Sequence, residues 1–338
     1  MPDFNEVLTQ PDWLPHSYDA GSGQVAFALI DEQARDELTF LADFKPTSND
    51  QVQWVPADTL GSVAPEARPL HFLFHSAFCR STLLVQALGA LEQFGSLSEP
   101  AILNSLQSHA SNPQAIALVP ALLGQLGKPM ASEHLVIAKP SNFANGLIPT
   151  LLDHASGTKG ILLFGGLAAF LRSVAKKGLA GRIWARKLLA HNRQIMPLDL
   201  GMDEKAHFEL TDLQCAALAW LLQMQQFTQL AKARPDALQT LDSERFIANK
   251  AGTILACARW YGIEARADQA QAIADGPLFS SHAKQGGDYQ AVKAEQDAAG
   301  TSQVTEEEIA QIEQWIGVIM QQLGLTLPLP NPLKIAGE

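Results

Sequence analysis

Basic charge, cysteine and long apolar runs are all in short supply in this chain. Its 24 Lys and Arg face 35 Asp and Glu, a formal charge of −11 at pH 7. An acidic surface repels polyanions, which argues against a general nucleic-acid or anionic-membrane binder. The cysteines, Cys79, Cys215 and Cys257, are odd in number and have no paired spacing, which argues against a disulfide framework or a zinc site and fits a reducing compartment. No apolar run reaches the ~18 residues of a membrane span. Met1-Pro2-Asp3-Phe4-Asn5-Glu6 lacks the basic start and apolar stretch of a secretory signal, so a soluble, unprocessed, cytoplasmic protein is expected. The motifs H-E-x-x-H, C-x-x-C and the nucleophile elbow are missing too. His71 and His75 count as a metal pair, but in a strand they stand ~13 Å apart by rise alone and cannot share an ion.

What is present is a chain of 338 residues with 47% hydrophobic content, enough for one large core or two modest ones. Short apolar runs at 71–75, 134–138 and 160–164 alternate with helical patterns at 81–93, 143–154 and 167–177. That alternation predicts a three-layer α/β fold, a parallel sheet flanked by helices. The strands read as continuous apolar runs, such as Ile161-Leu162-Leu163-Phe164, because both faces of such a sheet are covered. The second half reads as mostly helical, at 211–232, 251–261 and 305–323, with one further strand candidate at 237–241. Trp184, Trp220, Trp260 and Trp315 fall in helical patterns, where packing is the default role. Residues 1–68, with strand candidates at 25–30 and 51–55, read as an appendage on a domain spanning 69–338. Gly286, Gly287 and Gly300 lie amid polar residues at 285–303 and suggest a mobile loop or lid. Arg172, Lys176, Lys177, Arg182, Arg186, Lys187 and Arg193 form a basic run, either a solvated helical face or a rim for an anion.

Ligands of a parallel sheet bind beyond the carboxyl ends of its strands, which singles out 76–82, 139–142 and 165–166. The first of these, Ser76-Ala77-Phe78-Cys79-Arg80-Ser81-Thr82, joins a strand to a helix whose free N–H groups favour an anion. Arg80, Ser81 and Thr82 stand where a nucleotide-binding loop carries its lysine and hydroxyls. Its glycines are absent, with Phe74 and Cys79 in their places. Cys79, at a helix start beside Arg80, is either a buried packing residue or a thiol of lowered pKa.

The segment resembles the 5′-phosphosulfate loop of the sulfotransferase superfamily, commonly P-R-S-G-[ST]-T-L-L. Setting Thr82-Leu83-Leu84 on T-L-L puts Ala77, Phe78, Cys79 and Arg80 at the proline, basic, serine and glycine positions. The resemblance runs over residues 69–325 in order of elements. Leu97-Ser98-Glu99-Pro100 is similar to an S-E-P after the first helix. Val136-Ile137-Ala138-Lys139-Pro140-Ser141 resembles the strand that ends in a lysine and a general-base histidine, with Ser141 in the histidine's place. Residues 161–178 resemble the 3′-phosphate-binding unit, with Ser173 matching its serine and Gly165 replacing its arginine. Leu241-Asp242-Ser243-Glu244-Arg245-Phe246 resembles a Y-E-D-L segment, and Ser281-His282-Ala283-Lys284 falls near a late cofactor-binding loop.

The resemblance implies a phosphate-loop fold and transfer of a sulfuryl group from 3′-phosphoadenosine-5′-phosphosulfate (PAPS) to a hydroxyl or amine of a small-molecule acceptor. Phe78, Cys79, Arg80, Ser81, Thr82, Arg172, Ser173 and Lys284 are then cofactor-binding candidates. Arg80 and Lys139 supply cations and Glu99 the base. His282 is a second candidate base, and Glu99 or Ser98 alternatively caps a helix from 101. Phe78, Gly165 and Ser141 stand where the family places a basic residue, an arginine and a histidine. Two alternatives therefore stay open: a nucleoside-triphosphate-dependent phosphotransferase, and a non-catalytic binding or scaffold protein.

Overall fold

The computed structural model describes residues 3–61, 69–91, 93–128, 134–155, 157–280 and 303–336. At its centre lies a five-stranded sheet built from β4 (Leu70–His75), β5 (Phe94–Ser98), β6 (Leu135–Lys139), β7 (Gly160–Phe164) and β8 (Leu238–Asp242), in the spatial order β5-β6-β4-β7-β8. Every pairing is parallel. The expected α/β architecture is therefore present, with the loop-bearing strand β4 in the middle.

The sheet divides its apolar residues by the two-residue period of a strand. Phe72, Phe74, Val136, Ala138, Leu162 and Phe164 join one core cluster, with the helices Ala101–Ser108, Leu167–Lys176 and Asp212–Ala233. Leu73, Leu135, Ile137, Ile161 and Leu163 join another, with Ser81–Gly89 and Lys250–Tyr261. Burial on both faces is why these strands carry no alternation in hydropathy. On the outer side of β8 the C-terminal segment pairs with Thr240, which takes a bond from Leu333 and gives one to Asn331. That contact covers an otherwise open sheet edge.

Several elements differ from the sequence expectation. The first core helix stops at Gly89, and the chain reaches β5, a short strand whose Gly95 and Ser96 hide its periodicity. The pattern at 143–154 splits into a 3-10 turn, Asn142–Leu147, and a helix, Ile148–His154, with Pro149 in its first turn. The basic run continues past Gly178 as a second helix, Gly178–Ile195. At the N-terminus β1 (Trp13–Asp19) precedes β2 (Gln24–Leu29) and β3 (Val52–Pro56) in an antiparallel sheet. Its side chains Val25, Phe27 and Val55 belong to the same core cluster as Phe72 and Phe74. Lys128, at 4% exposure, donates to the carbonyls of Val7 and Trp13 and ties this sheet to the main body. Among the described residues no helix is long and apolar enough to cross a membrane. The glycine-bearing segment 285–302 lies outside the described residues.

Candidate functional site

The loop after β4 makes its turn without glycine. Ala77, Phe78 and Arg80 have φ values of 64°, 49° and 63°, in the left-handed region that side chains normally avoid. Each such residue costs on the order of 1–3 kcal/mol and persists only where its surroundings impose it. Here they do. Ser76 N–H donates to Leu163 O at 3.0 Å, and Cys79 Sγ lies 3.5 Å from the same carbonyl with the thiol wholly buried. Burial pushes the Cys79 thiol up, opposite to an activated nucleophile. Phe78 anchors the outer side, its ring 5.7 Å from Phe170 and 5.1 Å from Trp184, with Lys177 Nζ 5.8 Å above it. The helix Ser81–Gly89 then begins with Ser81 and Thr82 buried in its first turn.

Arg80 is the residue before that helix. Its guanidinium reaches across to the end of β8, 2.7 Å from Glu244 Oε1 and 3.3 Å from Ser243 Oγ. Lys139, at the end of β6, is completely buried, with Nζ 2.7 Å from Glu99 Oε1 and 4.9 Å from the centroid of Phe40. Glu99 too is left-handed, at φ 53°, and is pinned on both backbone sides. Its N–H donates to Lys139 O at 2.7 Å, and its C=O accepts from Ala42 at 3.1 Å. The helix from Ala101 has no side-chain cap; the Glu99 carboxylate turns to Lys139 instead. His75, the last residue of β4, completes the group, with Nε2 3.9 Å from Glu99 Oε1 and Nδ1 accepting the Ala77 N–H at 3.2 Å.

The structure thus brings Arg80, Ser81, Thr82, Lys139 and Glu99 to one end of the sheet. Arg172 is turned to Glu306, in a two-pronged contact at 2.8–3.1 Å, and Ser173 Oγ donates to Ala169 O within its own helix. Arg182 and Arg186 pair with Asp212, so much of the basic run is engaged in surface ion pairs. Gly165, at the end of β7, accepts the Trp220 indole N–H at 2.8 Å, and Ser141 Oγ takes the Phe143 N–H at 3.4 Å. Lys284 and His282 lie outside the described residues.

His75, Phe40, Asn145 and Glu244 are members that sequence reading missed as parts of the site. Asn145 Nδ2 donates to His75 O at 3.0 Å, and Gln226 Nε2 to Asn145 O at 2.9 Å. A histidine closing a strand just before a candidate ligand loop was the one available signal.

No protein-family model matches the chain, and no curated protein sequence matches it. Among solved structures it is similar to a sulfotransferase domain from the curacin biosynthetic pathway, at 14% identity over 78% of this chain and 99% of that one, with a TM-score of 0.43. It is also similar to a sulfotransferase domain from the Synechococcus PCC 7002 olefin synthase, at 15% identity over 79% and 99%, with a TM-score of 0.39. Both are distant, and the chemistry of this chain rests on its own residues.

Proposed function

We propose that this protein is a sulfotransferase-like enzyme that moves a sulfuryl group from PAPS to a hydroxyl or amine. One observation carries the reading: a strained, glycine-free turn after the central strand opens into a helix N-terminus beside a carboxylate held by a buried lysine. Left-handed residues turn backbone N–H groups into a concavity, and the helix dipole adds positive charge there. The residues fit the 5′ end of the donor: the amides of Phe78 to Thr82 with the hydroxyls of Ser81 and Thr82, and Arg80 at the mouth. When bound, the donor supplies a sulfuryl group whose leaving oxygen belongs to its 5′-phosphate. Glu99 accepts the proton that the acceptor's O–H or N–H gives up, and Lys139 holds that carboxylate in place. Lys139 is thus spent on the base and contributes to the anion site only at longer range.

A second reading has its own support. Arg80 and Lys139 are each already matched by a carboxylate, an arrangement that also suits a family member serving as a non-catalytic binding protein. Thermal-shift titration with adenosine 3′,5′-bisphosphate, magnesium-ATP and inorganic sulfate separates the readings, because a ligand of the folded state raises stability by RT ln(1 + [L]/Kd). Stabilisation by the bisphosphate in preference to magnesium-ATP is expected. Stabilisation by magnesium-ATP alone would make the protein a phosphotransferase, and by none of the three, a binding protein.

A further inference from the structure

His75 belongs to neither the loop nor the base, yet it touches both. The Ala77 N–H can only donate, so the ring nitrogen that accepts it, Nδ1, carries no proton. In the neutral ring the proton therefore sits on Nε2, the nitrogen that faces Glu99 Oε1 at 3.9 Å. Ligand-free sites often hold such contacts long and tighten them on binding. The residue's backbone is fixed independently, its carbonyl held by Asn145 Nδ2 and Asn145's carbonyl by Gln226 Nε2. With relative exposure at 5%, the ring has little freedom to turn.

We infer that His75 is a positioning residue that locks the left-handed Ala77 amide of the anion loop in register with the Glu99 carboxylate, through a neutral ring protonated on Nε2. This inference rests on the reading of the loop as an anion cradle and assigns a part that reading does not contain. Lys139 grips Glu99 from one side and His75 approaches the same oxygen from another. The carboxylate is thereby aimed toward the loop rather than free to rotate, and the turn residue Ala77 is held in a conformation that an alanine otherwise resists.

The test joins a spectroscopic measurement to a pair of variants. In wild-type protein labelled with nitrogen-15 on histidine, two-bond proton–nitrogen correlation at neutral pH is expected to show His75 neutral with Nε2 protonated. A proton on Nδ1 overturns the inference without any variant having to fold. In bisphosphate titrations His75→Asn, whose Oδ1 takes the place of Nδ1 toward Ala77, is expected to bind within about twofold of wild type. His75→Ala, losing the bond, is expected to fall about five- to tenfold. Equal binding by wild type and His75→Ala, or equal loss in both variants, overturns it. Failure of wild type to bind the bisphosphate sinks the sulfotransferase reading instead, and leaves the ring measurement to decide His75.

Discussion

Phe40 and Lys139 meet face to charge: the lysine Nζ lies 4.9 Å from the ring centroid, with the ring supplied by the N-terminal segment and the ammonium by a core strand. Two residues further on, Ala42 bonds the carbonyl of Glu99. The segment before the first core strand therefore walls the candidate site, and the lysine it covers has no exposure to water. A charge so placed depends on its partners.

That dependence makes the Lys139–Glu99 pair the first test. Removing one member strands the other, and for buried pairs the cost is about 3–5 kcal/mol. The Glu99 side chain retains 18% exposure, so Lys139→Met, which leaves the carboxylate some water, is expected at about 3 kcal/mol or below. Glu99→Gln leaves the ammonium buried without its counter-charge and is expected to cost more. Denaturant unfolding of both single variants and the double checks this. The double variant should lose clearly less than the sum. Additive losses would show that the two charges are not coupled.

The core of the fold was legible because burial on both faces of a parallel sheet writes itself as unbroken apolar runs, as in 161–164 and 71–75. β5 was harder to read, since Gly95 and Ser96 interrupt its apolar residues. In the site, the strand-end position of Lys139 followed from its apolar run, whereas Glu99 was named through the S-E-P resemblance. The distant partners were not legible, because Phe40 reaches Lys139 from about 100 residues away in sequence and Glu244 reaches Arg80 from 164 residues away, where no local pattern records the contact. Nor does sequence disclose that Ala77, Phe78 and Arg80 take left-handed angles, which glycine would have advertised.

Arg80 and Glu244 form a pair of a different kind. The two side chains are 22% and 62% exposed, so the pair contributes about 0–1 kcal/mol to stability. On the proposed reading its consequence lies in binding, because an anion entering the loop would compete with Glu244 for the guanidinium. Glu244→Gln is expected to leave the melting temperature nearly unchanged and to tighten bisphosphate binding several-fold. Arg80→Ala is expected to weaken it by about tenfold or more, the worth of a charge-assisted hydrogen bond. Isothermal titration of both variants reads this directly. Weaker binding in Glu244→Gln would mean that the carboxylate aims the arginine instead of competing for it.

Two buried groups, His71 and Lys128, make stability rise with pH. Burial, helped by the charge of Lys159, pulls His71 down from 6.5 to about 4, and burial pulls Lys128 down from 10.5 to about 7, with the charge of Arg35 adding to it. In both cases the unfolded chain binds the proton more readily, so stability rises with pH wherever the two states differ. The window for His71 runs from about pH 4 to 6.5, and that for Lys128 from about 7 to 10.5. Unfolding free energies should climb from about pH 4 to 6.5 and again from about 7 to 9, above which the thiols of Cys79, Cys215 and Cys257, pushed up from 9.0 by burial, pull the other way. Lys128→Met is expected to flatten the upper climb alone, and an unchanged slope in that variant would remove Lys128 as its source.

Gly160 starts β7 against the central strand, and its missing side chain is what lets the sheet close there. A Cβ at this position would lie 2.7 Å from Leu238 Cδ2 and 3.0 Å from Phe74 Cε2, both in fully buried side chains. Two effects oppose each other in Gly160→Ala. The alanine restricts the unfolded chain, a gain of about 0.4–1 kcal/mol where the native backbone suits it. Overpacking in a dense core costs about 1–3 kcal/mol, because neither neighbour has free space to retreat into. The second effect wins, for a net loss of about 1–2 kcal/mol by the same figures. Shortening the neighbour should reverse much of it, so Gly160→Ala in a Phe74→Leu background is expected to cost less than in the wild type. Urea unfolding of the four proteins in that cycle decides the matter, and an equal cost in both backgrounds would show that Phe74 is not what excludes the methyl group.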